Sequence, residues 1–272
     1  MDNCNQPVSK NHFYKIKKLL VEKSPFVFVR FSDGETEIIK NHYLEITTQK
    51  VIWSGGVSGK GFPVFDQKKF NPLIHQQFRK DLLKAAMLDA PNYYKGIPTS
   101  HNAAEQDRNL MIRLNGGLSS SLTFSDLFLN GNFLHYRKKI VPIFDTFNCI
   151  AIIGNYRMNP KLYRKDWKHI KIPDNFFETY EDVKNTTWNE INSLPIGTLV
   201  LSSASSLSNI LGVNVYLSRP DITFLDIGTT LHDIMGMQSG IRGYHIELEP
   251  WSVSNFYKKI RYKMASEYKL RW

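Results

Sequence analysis

Residues 26–35 read Phe-Val-Phe-Val-Arg-Phe-Ser-Asp-Gly-Glu. An apolar run stops at Arg30 and is followed by two carboxylates, Asp33 and Glu35, on either side of Gly34. We expect a β-strand that delivers this acidic pair to the start of a helix. In α/β proteins such strand ends bind phosphates and metal ions, because the free N–H groups and the dipole of the following helix favour negative ligands.

The acidic pair has two interpretations. Mg²⁺ and Mn²⁺ prefer oxygen ligands and are typically held by one or two carboxylates together with phosphate oxygens. Asp33 and Glu35 would then hold a metal-diphosphate. Gly34 would allow close approach of the ligand, and Arg30 would neutralise phosphate charge. In the alternative, the residues only begin a helix, with Ser32 or Asp33 as the N-cap and Glu35 in the first turn.

The composition is that of a globular protein. The 272 residues are 42% hydrophobic, and no apolar stretch reaches the length needed to span a membrane. Residues 1–6 lack signal-peptide character, so we expect a cytoplasmic protein. Cys4 and Cys149 lie far apart in the sequence and support neither a disulfide framework nor a zinc cluster.

The formal net charge of +10 favours binding to an anionic partner: nucleic acid, a membrane surface or a phosphorylated small molecule. Residues 245–272 form a basic amphipathic segment in which cations alternate with aromatic side chains. We expect it to contact the inner face of a membrane peripherally, the alternative being an ordinary last helix packed on the core. Nucleic acid is not expected, because no binding motif is recognisable and 25 acidic residues are mixed with the basic ones.

The rest of the chain alternates short apolar strands with amphipathic helices, which predicts an α/β fold with a mostly parallel, Rossmann-like sheet and helices on both faces. We expect a single domain over residues 1–272. The predicted strands are 26–31, 51–53, 149–154, 169–172, 198–204 and 222–228, and the predicted helices are 9–21, 35–44, 72–88, 101–114, 132–140, 181–194 and 205–217. Residues 54–65 and 91–101 are predicted acceptor-binding loops, in which Trp53, Tyr93 and Tyr94 either stack on a ligand or pack in the core.

Polar residues follow four of the predicted strands. They are Ser32 to Glu35, Gly154 and Asn155, Ser202 to Ser206, and Asp226 to Thr230. In an open parallel sheet, ligands bind outside the carboxyl ends of the strands. We therefore expect these groups to converge at one edge, with Asn155 and Ser203 contacting a nucleotide or sugar.

Three segments resemble the glycosyltransferases of the GT-D fold, which carry an Asp-X-Glu motif after the first strand. Residues 30–35 are similar to the Arg-Phe-Gly-Asp-Gly-Glu motif of that family and depart from it only at Ser32. Residues 226–233, Asp-Ile-Gly-Thr-Thr-Leu-His-Asp, resemble its Asp-Ile-Gly segment and are followed by Arg-Gly-Tyr at 242–244. Residues 130–133, Asn-Gly-Asn-Phe, resemble an Asn-rich segment that precedes the central helix.

The resemblance implies metal-dependent transfer of a hexosyl or related sugar from a nucleotide-diphosphate donor, a UDP-sugar, as in polysaccharide biosynthesis. The acceptor would be a glycan, a glycan-lipid or a glycoprotein. Asp33 and Glu35 would hold Mn²⁺ or Mg²⁺. The residues facing the nucleotide sugar would be Arg30, Ser32, Gly34, Asn155, Ser203, Gly228 and Thr229, and those facing the acceptor would be Asn130, Asn132, Arg242 and Tyr244.

A general base is needed if the acceptor hydroxyl attacks directly. The candidates are Asp226, His232 and Asp233, and for each of them a structural role is the alternative.

The residues leave two alternatives to glycosyl transfer. A different nucleotide-cofactor-dependent transferase, such as a methyltransferase, commonly has a glycine-rich first turn, whereas this first turn has two acids and one glycine. A basic nucleic-acid-binding protein is the third alternative.

Overall fold

The architecture comes from a computed structural model, which describes residues 9–58, 67–99, 105–237 and 242–246. The strands in chain order are β1 (Val27–Arg30), β2 (Leu44–Ile46), β3 (Val51–Trp53), β4 (Gly56–Ser58), β5 (Lys68–Phe70), β6 (Tyr93–Ile97), β7 (Leu122–Phe124), β8 (Ile150–Asn155), β9 (Lys168–Ile172), β10 (Leu199–Ser203) and β11 (Thr223–Asp226). The helices are α1 (Ser9–Val21), α2 (Asp33–Ile39), α3 (Gln76–Met87), α4 (Glu105–Leu114), α5 (Phe133–Lys139), α6 (Val141–Phe144), α7 (Tyr180–Asn192), α8 (Ser206–Ser218) and α9 (Gly243–Ile246).

The central sheet has seven strands in the order β7-β6-β1-β11-β10-β8-β9. Every neighbouring pair is parallel. Parallel neighbours require crossover connections, which place helices on the faces of the sheet. The predicted α/β fold, with a parallel sheet flanked by helices, is confirmed.

Side chains from the two faces of the sheet form two hydrophobic cores. Val27 and Val29 of β1 pack in one core with residues of α3, α7 and α8. Phe28, which points to the opposite face, packs in the other core with residues of α1, α5 and α6. This alternation is the period of two that a strand imposes on its side chains.

The two central strands, β1 and β11, lie at the point where the direction of the chain through the sheet reverses. From β1 the chain runs outward to β6 and β7, whereas β8, β9 and β10 fill the other side before β11 returns beside β1. Loops that leave the carboxyl ends of two such strands diverge and open a crevice, which is where ligands bind in open α/β sheets. Strand β1 ends at Arg30 and β11 ends at Asp226.

A second, antiparallel sheet in the order β4-β3-β2-β5 occupies the connection between α2 and α3. The sequence predicts only one of its strands. Part of the glycine-rich stretch that is predicted as a loop is strand β4, which pairs with β3 through Trp53 and Gly56. Residues 59–66, the remainder of that stretch, lie outside the described residues.

The prediction of a loop over residues 91–101 is wrong, because residues 93–97 form β6 directly beside β1. Tyr93 and Tyr94 are buried in the two cores rather than displayed to a ligand. Lys95 is also fully buried, and its ammonium donates to the Ala86 carbonyl at 2.8 Å. A lysine and a glycine in the middle of a short strand conceal its apolar character in the sequence.

None of the described helices is long and apolar enough to cross a bilayer. The basic segment predicted to contact a membrane lies outside the described residues from position 247 onward. Its interaction with lipid stays a prediction.

Gly96 is essential to the contact between β6 and β7. A Cβ at this position would lie 2.7 Å from the Phe124 carbonyl oxygen and 2.9 Å from Ser125 Cα, and backbone atoms cannot move aside as a side chain would. Gly96→Ala should lower the free energy of unfolding by about 2 kcal/mol, as overpacking does, measured by urea denaturation.

Gly34→Ala is the matched control, because a Cβ there meets nothing nearer than Leu44 at 3.8 Å. Its helical position should make the alanine neutral or stabilising by about 0.5 kcal/mol. Equal stability of the two variants would contradict the close approach of β6 and β7.

Candidate active site

The guanidinium of Arg30 lies between the segment that follows β7 and the end of β11. Its Nε donates to the Ser125 carbonyl at 2.5 Å, and its Nη1 lies 3.8 Å from Asp226 Oδ1. Ser125 follows β7, two strands from β1 on one side, and Asp226 ends β11 on the other side. Arg30 therefore links the two halves of the sheet at its carboxyl edge.

Gly228 lies against this guanidinium. A Cβ on Gly228 would come within 2.0 Å of Arg30 Nη1, and the φ angle of +52° is in the region that favours glycine. The Gly228 N–H donates to Asp226 Oδ1 at 2.9 Å. The structure thus brings together Arg30, Asp226 and Gly228, as the sequence predicts.

Asp226 is buried, and burial raises the pKa of its carboxyl. The positive charges of Arg30 and Lys68 and the N–H of Gly228 act in the opposite direction. Lys68 belongs to β5, so the small antiparallel sheet brings a buried cation toward this edge. The sequence gives no indication of Lys68 as a site residue.

Glu35 turns back from α2 toward the end of β1. Its Oε2 accepts the Ser32 N–H at 2.9 Å, which is a helix-capping contact. Burial raises the pKa of the Glu35 carboxyl, and the negative charges of Asp226 and Asp33 raise it further. The capping interpretation is correct for Glu35, and the same geometry brings its carboxyl close to two other acids.

Asp33 is the first residue of α2 and is exposed. Its Oδ1 accepts the N–H of Gly34 at 3.0 Å. Within the described residues, no three acidic, histidine or cysteine side chains converge into a complete metal site. The negative charges of Asp33 and Asp226 both act on the carboxyl of Glu35, and a metal ion bound there stays a prediction.

Asp126 is a further acid at this edge and is not among the residues predicted from the sequence. It follows Ser125 after the three-residue strand β7 and is partly exposed. Burial raises the pKa of its carboxyl to about 6, while the charge of Arg30 and a hydrogen bond from Asn130 act to lower it. Arg30 thus lies between Asp126 on the β7 side and Asp226 on the β11 side.

The Asn-rich segment lies beside Asp126. Asn130 to Asn132 form a short 3-10 helix immediately before α5, and Asn132 is buried. Asn130 has a φ of +47° and a side chain that bonds Asp126. The structure therefore connects Asn130, but not Asn155, to the residues around Arg30.

His232 and Asp233 both make internal contacts in the segment after β11. His232 Nε2 lies 2.7 Å from Ser203 Oγ, at the end of the neighbouring strand β10. Asp233 Oδ1 lies 3.4 Å from Arg137 Nη1 and 3.8 Å from His245 Nε2. These contacts favour positioning roles for both residues.

Tyr244 connects the short helix α9 to the segment that follows β11. Its hydroxyl lies 2.5 Å from Thr229 Oγ1, and its ring packs on Phe133 with 4.7 Å between centroids. His245 Nε2 lies 2.9 Å from the Thr229 carbonyl oxygen, and its Nδ1 accepts the Arg242 N–H. The predicted residues Thr229, Arg242 and Tyr244 are thus brought together.

Asn155 lies away from this group. It ends β8, three strands from β1, which corresponds to about 14 Å at the usual strand spacing. Its amide donates to Asp174 at 2.7 Å, and its oxygen accepts the Arg157 N–H at 3.1 Å. Contact with a nucleotide at β1 would require the ligand to extend across β11 and β10.

Three solved structures have a similar fold. The first, described as a selenomethionine-substituted structure of domain of unknown function 1792, is 12% identical, with a TM-score of 0.54 over 90% of this chain and 92% of that one. The second, described as showing that this highly conserved domain "has a distinct glycosyltransferase fold", is 12% identical, with a TM-score of 0.51 over 84% and 82% of the chains. The third, described as a new glycosyltransferase of the same domain from Streptococcus sanguinis, is 13% identical, with a TM-score of 0.50 over 80% of each chain.

These likenesses establish a fold shared with structures described as glycosyltransferases. No family model matches the sequence, and no curated protein matches it either.

The raised pKa of Asp126 predicts a pH dependence of stability. A carboxyl whose pKa rises from 3.8 in the unfolded chain to about 6 stabilises the fold fully below pH 3.8 and loses that contribution as the pH rises through 6. Relative to Asp126→Asn, the wild type should therefore lose stability between pH 4 and 6 and then level off. Urea denaturation across this range measures the difference, and a difference that does not vary with pH would contradict the assignment.

Proposed function

We propose that this protein is a metal-dependent glycosyltransferase that uses a nucleotide-diphosphate sugar, with UDP as the expected nucleotide. The observation that carries the proposal is the position of Arg30, whose guanidinium lies at the carboxyl ends of β1 and β11, between Asp226 and the acidic pair of α2. The glycosyltransferase descriptions of structures with this fold support it.

Arg30 would stabilise the leaving diphosphate. An arginine has five N–H donors in a rigid fork, and Ser125 and Asp226 account for Nε and Nη1. No hydrogen bond of Nη2 to another described residue is found, so Nη2 would face a phosphate oxygen. Because negative charge on the diphosphate grows as the sugar departs, this contact is stronger in the transition state than in the ground state.

Asp33 and Glu35 would hold Mn²⁺ or Mg²⁺, with Asp226 close by. A bound cation of this kind neutralises diphosphate charge as a Lewis acid. Asp33 is the exposed member of the pair and would meet the ligand first, while the Ser32 N–H fixes the orientation of Glu35. Ser32, Gly34, Gly228 and Thr229 are the proposed neighbours of the nucleotide sugar, and Ser203 and Asn155 are proposed to contact its outer parts.

Asp126 is proposed as the base for the acceptor hydroxyl. The three acid–base residues predicted from the sequence are otherwise occupied: Asp226 is buried against Arg30, His232 bonds Ser203, and Asp233 pairs with Arg137. Asp126 remains partly exposed, and a pKa of about 6 lets it accept a proton near neutral pH. Asn130, Asn132, Arg242 and Tyr244 are proposed to face the acceptor, a glycan or lipid-linked glycan.

Three conservative variants test this proposal. Asp33→Asn and Glu35→Gln should lower the release of UDP from UDP-sugars with Mn²⁺ by about 100-fold or more and weaken metal-dependent UDP binding, because each removes a ligand charge. The glutamine keeps an oxygen that can accept the Ser32 N–H, so it separates the metal role of Glu35 from its capping role. Asp126→Asn should retain UDP binding and lose about 100-fold in turnover.

Asp166→Asn is the matched control, because Asp166 is exposed and lies just before the amino end of β9, the outermost strand of the sheet. UDP release is measured with a coupled assay, UDP binding by calorimetry and folding by circular dichroism. Wild-type release by both Asp33→Asn and Glu35→Gln would exclude the metal site.

The basic C-terminal segment is proposed to bring the enzyme to a membrane that carries its acceptor. Deletion of residues 256–272 should reduce cosedimentation with vesicles that contain anionic lipid, because each lysine or arginine near such a surface contributes about 1 kcal/mol. Vesicles of neutral lipid are the control. Unchanged binding to anionic vesicles would exclude this role.

A further inference from the structure

Helix α8 begins at the carboxyl edge of the sheet with a buried hydroxyl group. Ser206 is the first residue of this helix and comes three residues after the end of β10. It is 1% exposed, and its Oγ has no hydrogen-bond partner among the residues that the structure describes. A hydroxyl that is buried without a partner is costly, so such groups normally bond to protein, to water or to a ligand.

Ser208, in the same turn of the helix, has partners of the kind that Ser206 lacks. Its Oγ lies 2.8 Å from Ser202 Oγ and accepts the N–H of Ala204 at 3.2 Å. These bonds fix the turn between β10 and α8. The structural role in this turn is therefore filled by Ser208, and the hydroxyl of Ser206 is left for another purpose.

The backbone at the start of α8 has unpaired donors beside this hydroxyl. The N–H groups of Leu207 and Ser208 donate to carbonyls of the preceding turn, at 3.2 and 2.8 Å. No described residue accepts from the N–H groups of Ser205 and Ser206, and the Ser205 side chain does not cap the helix. Unpaired N–H groups and the dipole of a 13-residue helix favour an anion at this end.

The charges at the start of α8 differ from those at the start of α2. Asp33 and Glu35 lie in the first turn of α2, whereas the first turn of α8 has no acidic residue. The carboxylates of α2 favour a cation, and the uncompensated N-terminus of α8 favours an anion. The two helix starts would therefore be complementary to a metal ion and to the phosphate that accompanies it.

Asn209 holds the first turns of α8 against the end of β1. Its Nδ2 donates to the Arg30 carbonyl at 2.8 Å. Further along the helix, Gly212 lies so close to β1 that a Cβ would come within 2.5 Å of Val29 Cγ1. Ser206, Asn209 and Gly212 follow one another at helical spacing and form one face of α8. This face runs along β1 toward its carboxyl end, and Ser206 lies just beyond that end.

The start of α8 is reached from solvent. Ser203 and Ser205 are partly exposed, so the edge of the sheet is open there. The side chain of a helical residue is directed toward the N-terminal end of its helix. The hydroxyl of Ser206 is therefore directed to the same place as the unpaired N–H groups.

We propose that the start of α8 binds one phosphate group of the donor diphosphate, beside the end of β1. The N–H groups of Ser205 and Ser206 and the hydroxyl of Ser206 supply the hydrogen bonds to its oxygens. Phosphate binding at α8 is independent of the proposed function. The assignment of that phosphate to a nucleotide-sugar donor rests on the proposed function.

Ser206→Ala tests the site with inorganic pyrophosphate as the probe, in EDTA so that no metal ion takes part. The variant should bind pyrophosphate about 10-fold more weakly by calorimetry, because it lacks one donor to a charged ligand. Ser218→Ala is the matched control, since Ser218 is exposed at the last position of the same helix, and it should bind as the wild type does. Equal affinity of Ser206→Ala and the wild type would overturn the proposal, as would the absence of pyrophosphate binding by the wild type.

Thermal unfolding without ligand separates a binding role of Ser206 from a structural one. Ser206→Ala should have the Tm of the wild type or a Tm up to about 2 °C higher, because it removes a buried hydroxyl that has no partner. Ser208→Ala should lower the Tm by about 3 °C, because it leaves the hydroxyl of Ser202 and the N–H of Ala204 without their partner. If Ser206→Ala lowers the Tm as much as Ser208→Ala does, Ser206 has a structural partner and the proposal is wrong.

UDP and uridine identify the phosphate. UDP should compete with pyrophosphate, and Ser206→Ala should weaken the binding of UDP but not that of uridine, which has no phosphate. Pyrophosphate binding that is unchanged by saturating UDP would overturn the assignment to the donor. The proposed function is measured separately, as Mn²⁺-dependent release of UDP from UDP-sugars. A wild type that binds pyrophosphate through Ser206 but releases no UDP would retain the α8 site and contradict the proposed function.

Discussion

The position of the Arg30 guanidinium determines how the carboxyl edge of the sheet is organised. It donates to the Ser125 carbonyl on the β7 side and lies against the Asp226 carboxylate on the β11 side, so one side chain joins the two halves of the sheet. The loop at Gly228 then closes against it. A buried arginine with contacts on both sides is rigid, and a rigid donor pays little reorganisation cost when it meets a charged ligand.

Capping and metal binding are compatible roles for the acidic pair. The carboxyl of Glu35 uses one oxygen for the Ser32 N–H, which fixes its direction and leaves the other oxygen for a ligand. Burial and the nearby acids Asp33 and Asp226 disfavour its ionised form. A cation at the proposed metal site would therefore relieve an electrostatically unfavourable arrangement.

The apolar pattern of the sequence is sufficient to predict the fold class and most helices. Buried strands such as β8 and β10 are continuous apolar runs, and the helices have apolar residues at helical spacing. The prediction fails at β6, where Lys95 and Gly96 interrupt the pattern, and at β7, which has only three residues. In both strands the burial depends on neighbours that are distant in sequence. A tertiary environment of this kind overrides local propensity.

The candidate site is predictable where it follows strand ends and unpredictable where it depends on pairing across the sheet. Arg30, Asp226 and Gly228 meet as strand topology requires. Asp126 is not predicted from the sequence, because the short strand β7 that positions it is not predicted either.

The close contact between Arg30 and Gly228 also constrains how this chain can evolve. The guanidinium fills the volume that any side chain at position 228 would need. The two positions therefore cannot drift independently, because a larger residue at 228 would be tolerated only together with a shorter one at 30. Such a double change would remove the cation between β1 and β11. Related chains that bind the same ligand should therefore keep both residues, and chains that have replaced both should no longer bind that ligand.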